Sequence, residues 1–345
     1  MLAAVFQRPG EMDMMDVDTP EIGPDEVLVK VGANTICGTD VRIFRGEKTK
    51  GIPLPTILGH ELAGHVYQVG SQVKGYEVGM PVAMAPVITC HRCYYCLNGM
   101  ENICPNQSIV GYDVKGGLSE YVRIPATAVQ AGNLFIAQKD LPSEYLALAE
   151  PLACCVNGHY RSNIRMNSTV LIMGSGPIGL FHLQLALLAG ARLVIVSDPS
   201  APRRVVAEAF GAHITVDPTT ENLSAVVSDA TAGLGVDSVI LCIGVPKLVN
   251  DALLMARQGG YINLFAGLAG KGWAEIEANL IHYRELNVTG SANSRRTDYQ
   301  TALRLIESGR INVETMVTDR YPLRDAHAAF DKAASGEGIK IAVLP

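Results

Sequence analysis

The sequence predicts an α/β protein in which a doubly wound parallel sheet is joined to a mainly-β domain. Three observations predict it. A strand, glycine turn, helix and strand follow one another near the middle of the chain, from Thr169 to Asp198. Short valine-rich runs punctuated by Gly, Pro and Asp fill the N-terminal third. From about Leu152 onward, helical stretches alternate with apolar runs that make six strands, the number a sheet of two mononucleotide-binding halves needs. At 345 residues, 48% hydrophobic and 18% charged, the chain is long enough to bury two ordinary cores.

Composition also narrows the partners. A net charge of -6 argues against a nucleic acid or an anionic membrane. The opening MLAAVFQRPGEMDMMD is too acidic, and too soon interrupted by Arg8 and Pro9, for a secretory signal. The longest apolar region, around Leu180 to Val196, carries His182, Gln184 and Arg192 and fits a packed helix and strand better than a membrane span. A soluble, cytoplasmic protein is expected.

In chain order, the runs Glu26 to Val31, Leu62 to Val69 and Pro81 to Ala85 read as strands, and long helical periodicity is absent until about Pro142. Cys37, His60 with Glu61, and Glu150 stand out here. Taken singly, Cys37 reads as a small core residue and His60 as a satisfied core histidine. Their setting changes that reading: Cys37 lies in CGTD, and His60 in GHELAG, where spaced glycines imply tight β corners that hold a polar pair in place.

Four of the eight cysteines follow as Cys90, Cys93, Cys96 and Cys104, spaced C-x2-C-x2-C-x7-C. Thiolates so close, all from one loop, can close a tetrahedral shell around zinc with no open position; an iron–sulfur cluster also uses four cysteines and is the second reading. Cys154 and Cys155 read as helix-packing residues, and Cys242 as a core residue of a buried strand.

The central stretch carries a dinucleotide turn. Gly174 permits a tight bend, Gly176 lets the backbone approach a pyrophosphate, and Gly179 lets the helix pack on the strand, so Gly174, Ser175, Gly176, Pro177, Ile178 and Gly179 form the candidate cradle. Asp198, 22 residues after Gly176, stands where a ribose hydroxyl would be bound, which favours NAD. Arg203 and Arg204 follow closely and could instead welcome the 2′-phosphate of NADP. Further strands are expected at Ile214 to Asp217, Val236 to Gly244, Tyr261 to Gly267 and near Leu286 to Ser291, then helices at Thr297 to Ser308 and Asp325 to Ala334, and a closing strand in GIKIAVLP. Asn293, Arg295 and Arg296 could touch cofactor or substrate, or form a solvated loop.

Taken together, Cys37-Gly38-Thr39-Asp40, Gly59-His60-Glu61 with Gly64 and Gly70, the cysteine cluster, Glu150-Pro151-Leu152 and the glycine turn stand in the order seen in zinc-dependent medium-chain dehydrogenases. The chain resembles that family over nearly its whole length, and the sorbitol and threonine dehydrogenase branch most. The resemblance implies a discontinuous GroES-like, mainly-β catalytic domain (1–151 and 292–345, with a structural zinc lobe at about 88–106) and a Rossmann domain (152–291), with the cleft between them as the natural site. It implies two zinc ions per chain. The catalytic ion would be held by Cys37 and His60, with Glu61 or Glu150 binding it directly or holding its water. Thr39 would take the hydroxyl proton and NAD the hydride. Many relatives extend the relay with a histidine three residues after that threonine; here the position is Arg42, which cannot shuttle protons near neutrality. The implied activity is reversible oxidation of a secondary hydroxyl of a polyol or sugar alcohol by a homodimer or homotetramer. A polyol-phosphate or threonine-type 3-dehydrogenase is the alternative, and a phosphate-bearing substrate would require a basic pocket. A catalytically silent nucleotide-binding member of the same fold is the reading from another class.

Overall fold

The computed structural model describes residues 1–270 and 272–345. The chain divides into two compact units, Met1–Ala153 with Asn293–Pro345, and Cys154–Ala292.

The first unit is built on a seven-stranded sheet ordered Leu134–Ile136, Pro81–Met84, Glu61–Val69, Val27–Thr35, Lys340–Leu344, Val317–Pro322, with Tyr121–Ile124 also paired to Val27–Thr35. Val27, Val29 and Val31 alternate with Leu28 and Lys30 along the central strand, so period-two patterning puts the valines into one core with Leu62, Val66, Val82, Met84 and Val122. A three-stranded sheet of Glu11–Asp16, Leu2–Arg8 and Thr56–Ile57 adds a second core around Phe6, Ile43, Leu58 and Phe330. The closing strand pairs antiparallel with Val27–Thr35, through Ala342 opposite Thr35, so the end of the chain completes a sheet begun more than 300 residues earlier. The parallel strand beside it, Val317–Pro322, was not legible in the sequence, because its TDRYP stretch is polar and it lies at the sheet edge, largely outside the core. Short helices at Gly38–Phe44, Tyr94–Leu97 and Ala126–Ala131 interrupt the β region; all are too short to leave a helical period in sequence.

The second unit is a six-stranded parallel sheet ordered Ile214–Val216, Leu193–Ser197, Thr169–Met173, Val236–Leu241, Ala256–Leu264, Asn287–Gly290. In order of sequence this is 3-2-1-4-5-6, the Rossmann arrangement, with its reversal point beside the first strand. Every residue of Thr169–Met173 is buried, as a strand covered on both faces requires. The strand expected from Tyr261 begins earlier, at Ala256, directly after the helix Leu248–Met255, with an irregularity before Tyr261 where Gly259 has φ +67°. Cys242 is not a strand-core residue: the strand ends at Leu241, and Cys242 lies half-buried at the carboxyl edge, where its N–H donates to Met173 O at 2.9 Å. No helix among the described residues is long and apolar enough to cross a membrane.

Candidate active site

Cys37 lies two residues beyond the strand that ends at Thr35 and caps the helix Gly38–Phe44. Its sulfur accepts from Thr39 N at 3.5 Å, and its own N–H donates to Asp40 Oδ2 at 3.0 Å, a reciprocal cap that fixes where the thiol stands. His60 and Glu61 enter the neighbouring strand, and Glu61 pairs across the ladder with Thr35. The loop GYDVKGG lies against the turn before them: a Cβ on Gly111, whose φ is +90°, would come within 2.7 Å of the Gly59 carbonyl group. Only glycine permits that approach.

These elements bring a Cys37 sulfur, a His60 ring nitrogen and a Glu61 carboxylate oxygen within 4.8 Å of one another. His60 is buried, and its Nδ1 lies 3.1 Å from Asp40 Oδ1, which orients the ring and leaves Nε2 for a metal. Burial pulls the His60 pKa down, but Asp40, Tyr112 and Cys37 together outweigh it and lift the value well above the ordinary range. A thiolate, an imidazole braced by a carboxylate and a carboxylate form a donor set that suits zinc.

Glu61 is fully buried and is not isolated. Lys340 Nζ donates to its Oε1 at 2.6 Å and to Ile36 O at 3.1 Å, and the Thr35 hydroxyl donates to Oε2. Burial pulls the Lys340 pKa down, but Glu61 and Cys37 outweigh it and hold the ammonium charged. Glu150 opens the helix Ala149–Arg161 and is 8% exposed; it stands outside the trio, although its charge reaches Tyr112, Tyr299 and Lys340. Thr39 is half-buried on the Cys37 helix. Arg42 is on the exposed side of that helix, 3.8 Å from Glu47. Lys340, Asp40 and Tyr112, whose ring centroid is 5.0 Å from that of His60, were given no role by sequence reasoning. Only Asp40 left a signal, three residues after Cys37 where a helix cap expects an acid.

The cysteine loop is also assembled. Cys93 Sγ lies 3.5 Å from Cys96 Sγ and 3.8 Å from Cys104 Sγ, and Cys104 Sγ 3.5 Å from Cys90 Sγ. Sulfurs at the corners of a zinc tetrahedron with bonds of about 2.3 Å stand about 3.8 Å apart, so the four fit one ion and form no disulfide. Backbone N–H donors from Arg92 and Cys93 lower the Cys90 pKa to about 6, whereas burial and the neighbouring sulfurs raise that of Cys96 to about 12. Four thiolates cannot all ionise there without a cation.

In the second unit, Gly174 has φ +97°, and a Cβ on Gly179 would sit 1.9 Å from Gly174 O, so the helix Pro177–Leu188 can start there only with glycine. Asp198 follows the second strand and is 4% exposed; its carboxylate accepts from Ser175 N at 2.7 Å and Ser200 N at 2.8 Å. Arg204 is tied to Asp217 at 3.1 Å and to the Asp198 carbonyl. An Arg203 Nη1 would lie 3.9 Å from a Cβ on Gly176. Cys155 is fully buried and donates to Ile178 O, as a packing residue would. Arg296 pairs with Glu101 at 3.1 Å, Arg295 pairs with Asp298 at 2.7 Å, and Asn293 donates to Asn102 O, while both arginines line a cavity with Glu101, Phe135 and Gln300.

A parallel sheet with a glycine turn, in a chain that also carries a cysteine, histidine and glutamate cluster and a four-cysteine loop, defines a zinc-dependent oxidoreductase that uses a nicotinamide dinucleotide. The family model for the alcohol dehydrogenase GroES-like domain matches residues 23–132, and that for zinc-binding dehydrogenase residues 177–308. The chain belongs to the zinc-dependent medium-chain dehydrogenase family. It is 35% identical, over 98% of its length and 95% of the relative's, to a D-arabitol-phosphate dehydrogenase of Enterococcus avium. It is 36% identical, over 100% and 98%, to an L-threonine 3-dehydrogenase of Pyrococcus abyssi (strain GE5 / Orsay). A solved structure from Sinorhizobium meliloti 1021, described as a candidate zinc-binding dehydrogenase bound to NADP, superposes with a TM-score of 0.93 at 36% identity, covering 100% of this chain and 99% of that one.

Proposed function

We propose that the chain reversibly oxidises a secondary hydroxyl of a polyol or sugar alcohol to a ketone with NAD, using a catalytic zinc at Cys37, His60 and a glutamate. The observation that carries this reading is the convergence of Cys37, His60 and Glu61 within 4.8 Å. Zinc there supplies Lewis-acid polarisation of the substrate hydroxyl, and the nicotinamide accepts the hydride. Cys37 and His60 hold the ion, and Asp40 keeps the His60 ring turned toward it. Thr39, on the same helix as the cap, takes the hydroxyl proton. Glu61 has its charge balanced by Lys340, which weakens it as a donor. Glu150, buried at the start of its helix, is the second carboxylate we assign to the site, where it would bind the ion or hold its water. Cys90, Cys93, Cys96 and Cys104 would hold a second zinc with no open position, which would shape the lobe at about 88–106 and take no part in chemistry. Catalytic residues would belong to a domain of 1–151 and 292–345, and cofactor residues to 152–291.

For the cofactor, Gly174 to Gly179 would cradle the pyrophosphate. The buried negative charge of Asp198 supports NAD, since it accepts ribose hydroxyls and repels a 2′-phosphate. Arg203 beside Gly176 and the NADP in the Sinorhizobium structure favour NADP as the second reading. Catalytic efficiency with NADP equal to that with NAD would overturn our choice. The edge strand Asn287–Gly290 is mostly exposed and supports a homodimer or homotetramer, which we place in the cytoplasm. The assignment of Glu150 is tested by Glu150→Gln. It should keep zinc and cofactor bound while turnover falls about 100-fold, the upper scale for loss of a group that supports a metal site; unchanged turnover and pH profile would leave Glu150 a packing residue.

A further inference from the structure

The segment after the Cys37 helix folds back over it. Gly46 N donates to Ile43 O, and the amides of Glu47 and Lys48 both donate to Arg42 O. That return sets Lys48, which is half-buried, with its Nζ 4.1 Å from the centroid of the Tyr112 ring. The other neighbour of that ring is His60, at 5.0 Å between centroids. An ammonium group thus stands two ring contacts from a metal-site imidazole.

The acids around Lys48 are engaged elsewhere. Asp40 serves His60 and the Cys37 N–H, Asp113 accepts from Ile109 N, and Glu47 lies near Arg42. No carboxylate among the described residues comes within the 4.0 Å of an ion pair with Lys48. A tyrosine face stabilises a cation but supplies no acceptor for its three N–H groups. Burial lowers the Lys48 pKa, and Cys37, Asp40 and Asp113 act against that, which places the group within electrostatic reach of the site. An anionic group on the hydroxy substrate would supply the acceptor that the tyrosine ring does not.

We propose that Lys48 anchors an anionic end group of the substrate, so that the compound oxidised at this site is a hydroxy compound bearing a phosphate monoester or a carboxylate. This rests on the dehydrogenase reading above and adds the charge of the substrate to it. The competing role, a proton acceptor in place of the histidine that Arg42 replaces, requires a neutral amine and gives arginine no way to substitute.

The test uses the zinc-loaded enzyme with three matched substrates: a neutral polyol, its terminal phosphate and the corresponding sugar acid. Wild type should favour the phosphate or the acid over the neutral polyol in kcat/KM, and the better of the two names the end group. Lys48→Met should lower that ratio about tenfold through KM, the scale of one charged hydrogen bond, and Lys48→Arg should largely restore it. Isothermal titration with inorganic phosphate gives a readout independent of turnover, in which Lys48→Met should weaken binding by a similar factor. Phosphate binding that depends on Lys48, without turnover of any of the three compounds, would sink the polyol reading and keep the anchor. A ratio unmoved by Lys48→Met, or a fall in kcat on all three compounds that arginine does not rescue, would overturn the anchor.

Discussion

The contact between Lys340 and Glu61 shows how much of this site depends on single charges. Both are almost fully buried, and the ion pair is 2.5 Å long. Removing one partner leaves the other charged in a low dielectric, which costs about 3–5 kcal/mol in buried pairs. Lys340→Met should therefore lower the stability of the protein by that amount in denaturant titration, and Lys340→Arg by clearly less; a loss below about 1 kcal/mol, the scale of a surface pair, would show that Glu61 does not depend on this ammonium. The pair also marks the limit of what could be read at this scale. Cys37 and His60 were legible because each sits in a local pattern of glycines and polar neighbours that has little other use. Lys340 is 279 positions from Glu61 and reads as one lysine in a terminal strand. Lys48 and Tyr112 are hidden for the same reason: their meaning lies in the fold of two loops and leaves no trace in spacing.

Elements were legible where one physical constraint dominates. The glycine turn combines a positive φ, a steric exclusion and two buried strands, and the cysteine loop carries its own spacing; the edge strand Val317–Pro322 has none of these and was missed. The cysteine loop contains only the four-residue helix Tyr94–Leu97 and a short 3-10 turn, and we assign its organisation to the proposed structural zinc. Cys93→Ser should remove one metal per chain and unfold this loop first, because zinc contributes on the order of 10 kcal/mol in small thiolate sites; metal loss with full thermal stability and activity would contradict this role. The helix after the glycine turn makes a pH-dependent prediction. His182 is fully buried, packs edge-on to Phe265 at 4.7 Å, and has no partner on either ring nitrogen among the described residues. Burial, with His159 adding to it, lowers its pKa from 6.5 to about 3. The unfolded chain therefore binds a proton that the folded chain refuses, and stability falls as pH drops from about 6.5 toward about 3, by on the order of 5 kcal/mol in total. His182→Leu should flatten the stability curve in that window, and an unchanged slope would mean that the ring is hydrated or paired in solution.

For the whole molecule, the order of motifs along the chain carried the division into a β-rich metal-binding part and a parallel nucleotide-binding sheet, and the strand order 3-2-1-4-5-6 agrees with the six runs counted in sequence. Substrate charge was not legible at this scale, since a net charge of -6 says nothing of one lysine beside one ring. The proposed activity needs two metals with different tasks and one hydride transfer. The most direct measurement is the fate of deuterium placed on the carbinol carbon of a polyol, or of its phosphate or acid, when the zinc-loaded enzyme turns over with NAD. The account predicts that the label appears in the reduced nicotinamide ring, and that His60→Ala, which should lose the catalytic zinc and keep the four-cysteine zinc, abolishes the transfer. Label released to water, or transferred by His60→Ala at the wild-type rate, would contradict it.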